Sequence, residues 1–142
     1  MSDNYFVDTN VLVYFHDNSN PRKQARAKEW LSTLWRERTG RLSIQVLNEF
    51  YHVVTRKLSP GLEKEEARES VRALLAWDPV SLSSAVTESG FSIQDRFQLS
   101  WWDALIVSAA KSTSCRYLLT EDLQDGQDLS GITVVNPFLH LP

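Results

Sequence analysis

A chain of 142 residues, 42% apolar and 23% charged, has the size and make-up of one globular domain with a sizeable core. No apolar run approaches the roughly 20 residues of a membrane-spanning helix, and Cys115, the single cysteine, can form neither an internal disulfide nor a cysteine-based metal site. The net charge of −3 is unevenly spread: residues 21–57 carry nine basic and three acidic side chains, so that segment is +6 and the remainder −9.

The chain opens on polar Ser2, Asp3 and Asn4, so no secretory leader is expected and a reducing cytoplasm is the expected location. Tyr5-Phe6-Val7 reads as a short buried strand ending on Asp8. Val11, Leu12 and Phe15 then restart at helical spacing. In an open α/β sheet the ligand crevice lies beyond the carboxyl ends of the strands, which makes Asp8 a candidate site residue. Equally, Asp8, Thr9 or Asn10 serves simply as the helix cap. After a turn-rich stretch at 17–20, Ser19 or Asn20 caps a second helix with Pro21 in its first position, running to about Arg38. Residues 41–44 read as a second strand leading into a helix from about Gln45, with Leu47, Phe50, Tyr51, Val54 and Leu58 as its apolar stripe. The spacing predicts another helix from Glu63 to Trp77 with Ala67, Val71, Leu74 and Leu75 inward, then a brief strand within 78–82. A helix capped by Ser83 or Ser84 follows towards Phe97, weakened by Gly90 by about 1 kcal/mol. A further helix runs from Trp101 to Lys111. Residues 117–120 form a clear strand, 121–129 a polar loop, and 132–135 the last strand. No linker or repeat interrupts the order, so residues 1–142 are read as a single domain. Strands separated by helices imply crossover connections and a small parallel sheet of four or five strands with helices on both faces.

Three further acids fall in comparable places. Glu49 lies on the edge of its helix's apolar stripe, where a carboxylate is either half-buried or an ordinary surface group. Asp103 follows Ser100 in a capping-box spacing, a structural role, yet a first turn also holds a carboxylate ionised. Asp122 ends a strand as Asp8 does, in an acidic loop where Glu121, Asp125 and Asp128 compete for its role or are simply solvated. Trp101 and Trp102 are core, or one of them is a stacking surface for a base. Several carboxylates in one crevice repel and take up protons unless a cation joins them. Magnesium and manganese prefer such oxygen ligands and retain waters and substrate phosphates, a combination suited to hydrolysis at phosphorus.

Phe6-Val7-Asp8-Thr9-Asn10-Val11-Leu12, Asn48-Glu49-Phe50, Trp102-Asp103-Ala104-Leu105-Ile106 and Leu119-Thr120-Glu121-Asp122-Leu123, in that order, resemble the PIN-domain family, most closely its VapC-type toxins of bacterial toxin–antitoxin pairs. The resemblance spans essentially the whole chain. It implies an α/β fold with a central parallel sheet and a Mg2+- or Mn2+-dependent endoribonuclease. Asp8, Glu49, Asp103 and Asp122 match the family's acidic quartet, Thr120 a hydroxyl often found beside it, and Asn10 a helper near Asp8. On this likeness Asp8 and Asp103 hold the main ion, and Glu49 and Asp122 complete the shell or hold a second, weaker one. It further implies a tRNA or ribosomal RNA substrate, a homodimer, and a VapB-like antitoxin partner whose tail covers the site. Arg22, Lys23, Arg26, Arg56 and Lys57 are the candidates for phosphate contacts; the alternative is that they are solvated helix faces. His16, His52 and His140 share no motif, and His52 is expected to be partly buried and structural.

Rival readings meet specific obstacles. A haloacid-dehalogenase-like phosphatase wants a second Asp two residues after the first, where this chain has Asn10. A signalling receiver wants an acidic pair at the first strand, which is lacking. A catalytically idle PIN-like module that binds RNA or protein is disfavoured by the presence of all four acids.

Overall fold

The computed structural model describes residues 3–142; Met1 and Ser2, part of the polar start read above, lie outside the described residues. Strand β1 (Tyr5–Val7) buries Phe6 and Val7 completely. Helix α1 (Thr9–Phe15) begins at once, with Asp8 in the N-cap position. Asn20 caps α2 (Pro21–Glu37) through the Lys23 backbone N–H at 3.2 Å, and Pro21 supplies the first helical φ. Ala27, Trp30, Leu31 and Leu34 form its buried stripe.

Strand β2 is Gly40–Arg41, earlier and shorter than the 41–44 expected. Ser43 caps α3 (Ile44–Arg56), accepting the Val46 N–H at 3.2 Å, and the ladder with β1 ends at Arg41. Helix α4 (Lys64–Leu74) tightens into a 3-10 turn over Leu75–Trp77. The tighter winding carries Leu75 out of the apolar stripe, and it is 48% exposed rather than inward. The strand expected within 78–82 shrinks to one parallel bridge between Ser43 and Val80. Helices α5 (Ser84–Phe97) and α6 (Trp101–Ser112) carry serine caps at Ser83 and Ser100. Gly90 does not interrupt α5; it is buried where the two helices meet, and a Cβ there would stand 3.2 Å from the Trp101 ring.

The remaining strands are β3 (Tyr117–Leu119), β4 (Asp128–Leu129) and β5 (Ile132–Val135). The last two residues of the loop expected over 121–129 thus form an edge strand, antiparallel to β5. Its hairpin turns at Ser130 and Gly131, both at positive φ (59° and 93°), the two-residue turn that suits strand twist. The five strands lie in the order β2-β1-β3-β5-β4, parallel except for β4. Helix α1 packs on α2 and α3, and α6 packs on β3 and β5.

Gly40 shows why β2 cannot be a generic strand. A Cβ at this position would sit 2.1 Å from Cζ3 of Trp77, whose ring stacks on Trp35 at 5.9 Å. Gly40→Ala must push a packed indole off the sheet, and a loss of about 1–3 kcal/mol in denaturant unfolding is expected. Gly90→Ala meets its neighbour at 3.2 Å and is expected to cost less.

Candidate active site

The chain passes from β1 outward to β2, then returns to place β3 on the other side of β1, so the strand order reverses between β1 and β3. Open α/β sheets bind ligands at such a point, beyond the carboxyl ends of the strands. Val7 and Leu119 are register partners at those ends. The next residues, Asp8 and Thr120, therefore meet at the mouth of the crevice, where the Thr120 hydroxyl donates to Asp8 Oδ2 at 2.9 Å. The other Asp8 oxygen accepts the Thr9 backbone N–H at 2.7 Å. Both readings of Asp8 thus have a basis: it stands at the helix start and in the crevice. A cap needs no burial, however, and Asp8 is only 7% exposed.

Thr120, wholly buried, is the junction of the site. Besides donating to Asp8, its oxygen accepts from Asn10 Nδ2 at 2.9 Å and from the Asp122 backbone N–H at 3.1 Å. Asn10 Nδ2 also reaches Asp122 Oδ2 at 3.1 Å, so the helper residue ties the first strand's loop to the third's. Glu49 comes from α3 and is half-buried. The Thr9 hydroxyl donates to its Oε2 at 2.9 Å and Gln45 Nε2 to its Oε1 at 3.1 Å. Asp103 lies in the first turn of α6, where its backbone N–H donates to Ser100 Oγ at 3.2 Å.

The acids sense one another. Burial pushes the Asp8 carboxyl from an ordinary 3.8 up to about 7, against the pull of its two hydrogen bonds, and the charges of Asp122 and Glu49 add to the rise. Asp103 is raised by burial first, with the same two charges contributing. The four predicted acids are therefore one electrostatic cluster. The other loop acids are engaged elsewhere. Glu121 pairs with Lys23 at 2.6 Å, Asp125 accepts from Asn136 N–H and sits 2.9 Å from His140, and Asp128 accepts from Gly131 N–H in the hairpin turn.

The predicted phosphate contacts divide. Lys23 stands at the rim, paired to Glu121 and 3.4 Å from the Tyr14 hydroxyl. Arg22 and Arg26 donate to the carbonyls of Phe138 and His140, tying α2 to the C-terminal segment. Arg56 and Lys57 are exposed at the end of α3. His52 is exposed, not partly buried, because its position on α3 turns away from the stripe of Leu47, Phe50 and Val54. Two residues of the site lay outside the predicted set: Thr9, weighed only as a cap, and Gln45, whose spacing of four from Glu49 on a helix is the signal that would have found it.

Among the described residues, no group of three or more His, Cys, Asp or Glu side chains is placed so as to hold a metal ion together. Mg2+ does not require one, since it commonly takes one or two carboxylates and keeps its waters. An all-oxygen set of mutually repelling carboxylates, one of them driven to about 7, fits a hard divalent cation.

The PIN domain family model matches residues 5–124, which span all four acids. No curated protein matches the sequence significantly. Among solved structures, the chain is similar to the FitAB complex bound to a DNA fragment, with a TM-score of 0.70 at 22% identity over 97% of each chain. VapBC2 from Rickettsia felis bound to a fragment of its promoter gives 0.64 at 20% identity over 92% of this chain and 96% of that one. VapC20 of Mycobacterium tuberculosis, a sarcin-ricin loop cleaving toxin, gives 0.62 at 17% identity over 83% and 89%. At these identities the likeness is one of fold. With its family match covering the sheet's first three strands and every acid of the crevice, the chain belongs to the PIN domain family.

Proposed function

We propose that this protein is a Mg2+- or Mn2+-dependent endoribonuclease that hydrolyses RNA phosphodiester bonds. The observation that carries the reading is Asp8, buried at the switch point of the sheet and driven to about 7 among like charges. A cap alone gives no reason to bury a carboxyl among like charges, and strongly perturbed carboxyls in a crevice are candidates for chemistry. Asp8 and Asp103 would hold the principal ion, with Glu49 and Asp122 completing the shell or holding a second. A bound divalent ion supplies Lewis acidity towards a phosphoryl oxygen and activation of water.

The chain's own groups do the positioning. Thr120 fixes Asp8, Thr9 and Gln45 fix the two oxygens of Glu49, and Asn10 restrains Asp122. Lys23 at the rim, with Arg56 and Lys57 on α3 and Arg22 and Arg26 on α2, would meet the RNA backbone. Asn10 stands two residues after Asp8, where a phosphoaspartate route would have its second acid.

A solved toxin–antitoxin complex from Klebsiella pneumoniae, similar with a TM-score of 0.62 at 18% identity over 94% of this chain and 97% of that one, supports a toxin role here with a VapB-like antitoxin as partner; a homodimer would be the working unit. The substrate would be tRNA or ribosomal RNA; the relative described as cleaving the sarcin-ricin loop supports a structured RNA of the second kind. Residues 1–142 would act as a single PIN-like domain, with the cytoplasm as its location. No helix among the described residues is long and apolar enough to cross a membrane. The test is cleavage of total cellular RNA by purified protein. Discrete fragments that appear with Mg2+ or Mn2+ and vanish in excess chelator are expected. Folded, metal-loaded protein that cuts no RNA would instead favour a binding module.

A further inference from the structure

Beside Glu49 lies a recess of about 490 Å³ whose lining includes Gln45, Asn48, Leu82 and Trp102. The first turn of α6 separates its two tryptophans. Trp101 turns inward, stacked on Phe91 with ring centroids 5.1 Å apart and packed over Gly90. Trp102, a residue further along and about 100° around the helix, lines the recess and is 60% exposed. An indole so exposed, next in sequence to Asp103, stands out because tryptophan is highly buried on average. Leu82, 42% exposed, gives a second apolar wall.

Gln45 supplies an independent observation. Its Nε2 donates to Glu49, and a carboxylate oxygen only accepts, so the orientation of the amide is fixed. Its Oε1 is thereby left buried with no hydrogen-bond partner, although Gln45 is only 7% exposed and lines the recess. A buried acceptor without a donor calls for one from outside the chain. Asn48 adds a second, exposed amide on the same wall.

An exposed indole face, an apolar wall and an acceptor short of a donor match an unstacked nucleobase. Its π-face stacks on tryptophan, and its amino or imino N–H donates to the exposed Asn48 amide oxygen, or to Gln45 once that side chain shifts to open its enclosed Oε1. We propose that this recess is a nucleobase subsite that takes one unpaired base beside the scissile phosphate, so that the RNA is recognised in a single-stranded or loop segment. This inference rests on the ribonuclease reading and deepens it. A base within a duplex is covered on both faces by its neighbours and cannot present one to Trp102.

The test uses a labelled mixed-sequence single-stranded decaribonucleotide and a duplex of the same length, titrated by fluorescence anisotropy with Ca2+ in place of Mg2+. Trp102→Ala is expected to weaken single-strand binding about 10-fold and Trp102→Phe no more than about 3-fold, with duplex binding unchanged. Mn2+ affinity should be the same in all three proteins, since Trp102 ligates nothing. The subsite is overturned if Trp102→Ala binds the single strand as wild type does, or loses strand and duplex equally. It is also overturned if that substitution leaves RNA binding intact but converts a dimer to a monomer in sedimentation, which would make the recess a contact between copies. RNA cleavage by the wild type separates the two readings. With cleavage present, a null result at Trp102 sinks the subsite alone; with neither cleavage nor binding, the ribonuclease reading falls and takes the subsite with it.

Discussion

Asp8→Asn will abolish RNA cleavage, by at least about 10³-fold, the scale of losing one member of a group that acts as a unit. It will do so without unfolding the protein, and above pH 7 the variant will melt higher than the wild type. The argument is one of linkage. An unfolded Asp titrates near 3.8, while Asp8 in the fold titrates near 7 because burial and the charges of Asp122 and Glu49 oppose its ionisation. Between those values the folded state holds a proton that the unfolded state has released. Wild-type stability therefore falls as pH rises from about 4 to about 7, then levels off, by at most about 4 kcal/mol at 1.36 kcal/mol per unit.

The Asn substitution removes that charge but replaces an acceptor with an N–H facing Thr120, whose oxygen already accepts from Asn10 and Asp122. The net gain at pH 8 is accordingly smaller, about 1–2 kcal/mol. Thermal melts in chelator at pH 5 and pH 8 check this, since the gap in favour of the variant should open with pH. A variant that melts far below the wild type at both pH values would mean that Asp8 is chiefly a structural cap. Full cleavage by the variant, with the same metal, would end the catalytic assignment.

The second large effect is expected at Thr120. Thr120→Val keeps the shape and deletes a hydroxyl that serves Asp8, Asn10 and the Asp122 backbone at once. The position is wholly buried, so no water replaces the lost partner. A loss of about 2–3 kcal/mol in denaturant unfolding is expected, the cost of stranding buried polar groups. Divalent-metal affinity should fall about 10–100-fold, as when a group that orients a metal ligand is removed. Thr120→Ser retains the oxygen and should keep most of the metal affinity and activity. If the Val and Ser proteins behave alike, Thr120 is a packing residue and the junction described above is incidental.

How much of this was legible follows from which residues carry local signals. The strand at Tyr5–Val7, the Asn20-Pro21 helix start and the Ser83 and Ser100 caps are written in neighbouring residues, and each forms where expected. The edge strand β4 was hidden because Asp128–Leu129 is two residues long and half of it is charged, although Ser130-Gly131 is a hairpin signal and Leu129 is fully buried. The need for glycine at the start of β2 depends on the Trp77 ring lying over Gly40, a contact between residues 37 positions apart that no window of sequence displays.

The four acids could be named one by one from motif and strand-end position. What joins them is not local: Thr120 to Asp8 spans 112 residues, Asn10 to Asp122 the same, and Thr9 to Glu49 forty. Glu49 in particular had only its place at a stripe edge to recommend it. Its role becomes visible when Thr9 and Gln45 are seen holding both of its oxygens.

The central claim is that these carboxylates act together as one divalent-metal centre, and calorimetric titration with Mn2+ tests it most directly. Wild-type protein should bind the ion, and Asp103→Asn and Asp8→Asn should each weaken binding by at least about 10-fold while retaining the wild-type circular dichroism spectrum. Mn2+ affinity equal to wild type in both variants would contradict the account, because the two acids assigned to the principal ion would then have no part in holding it.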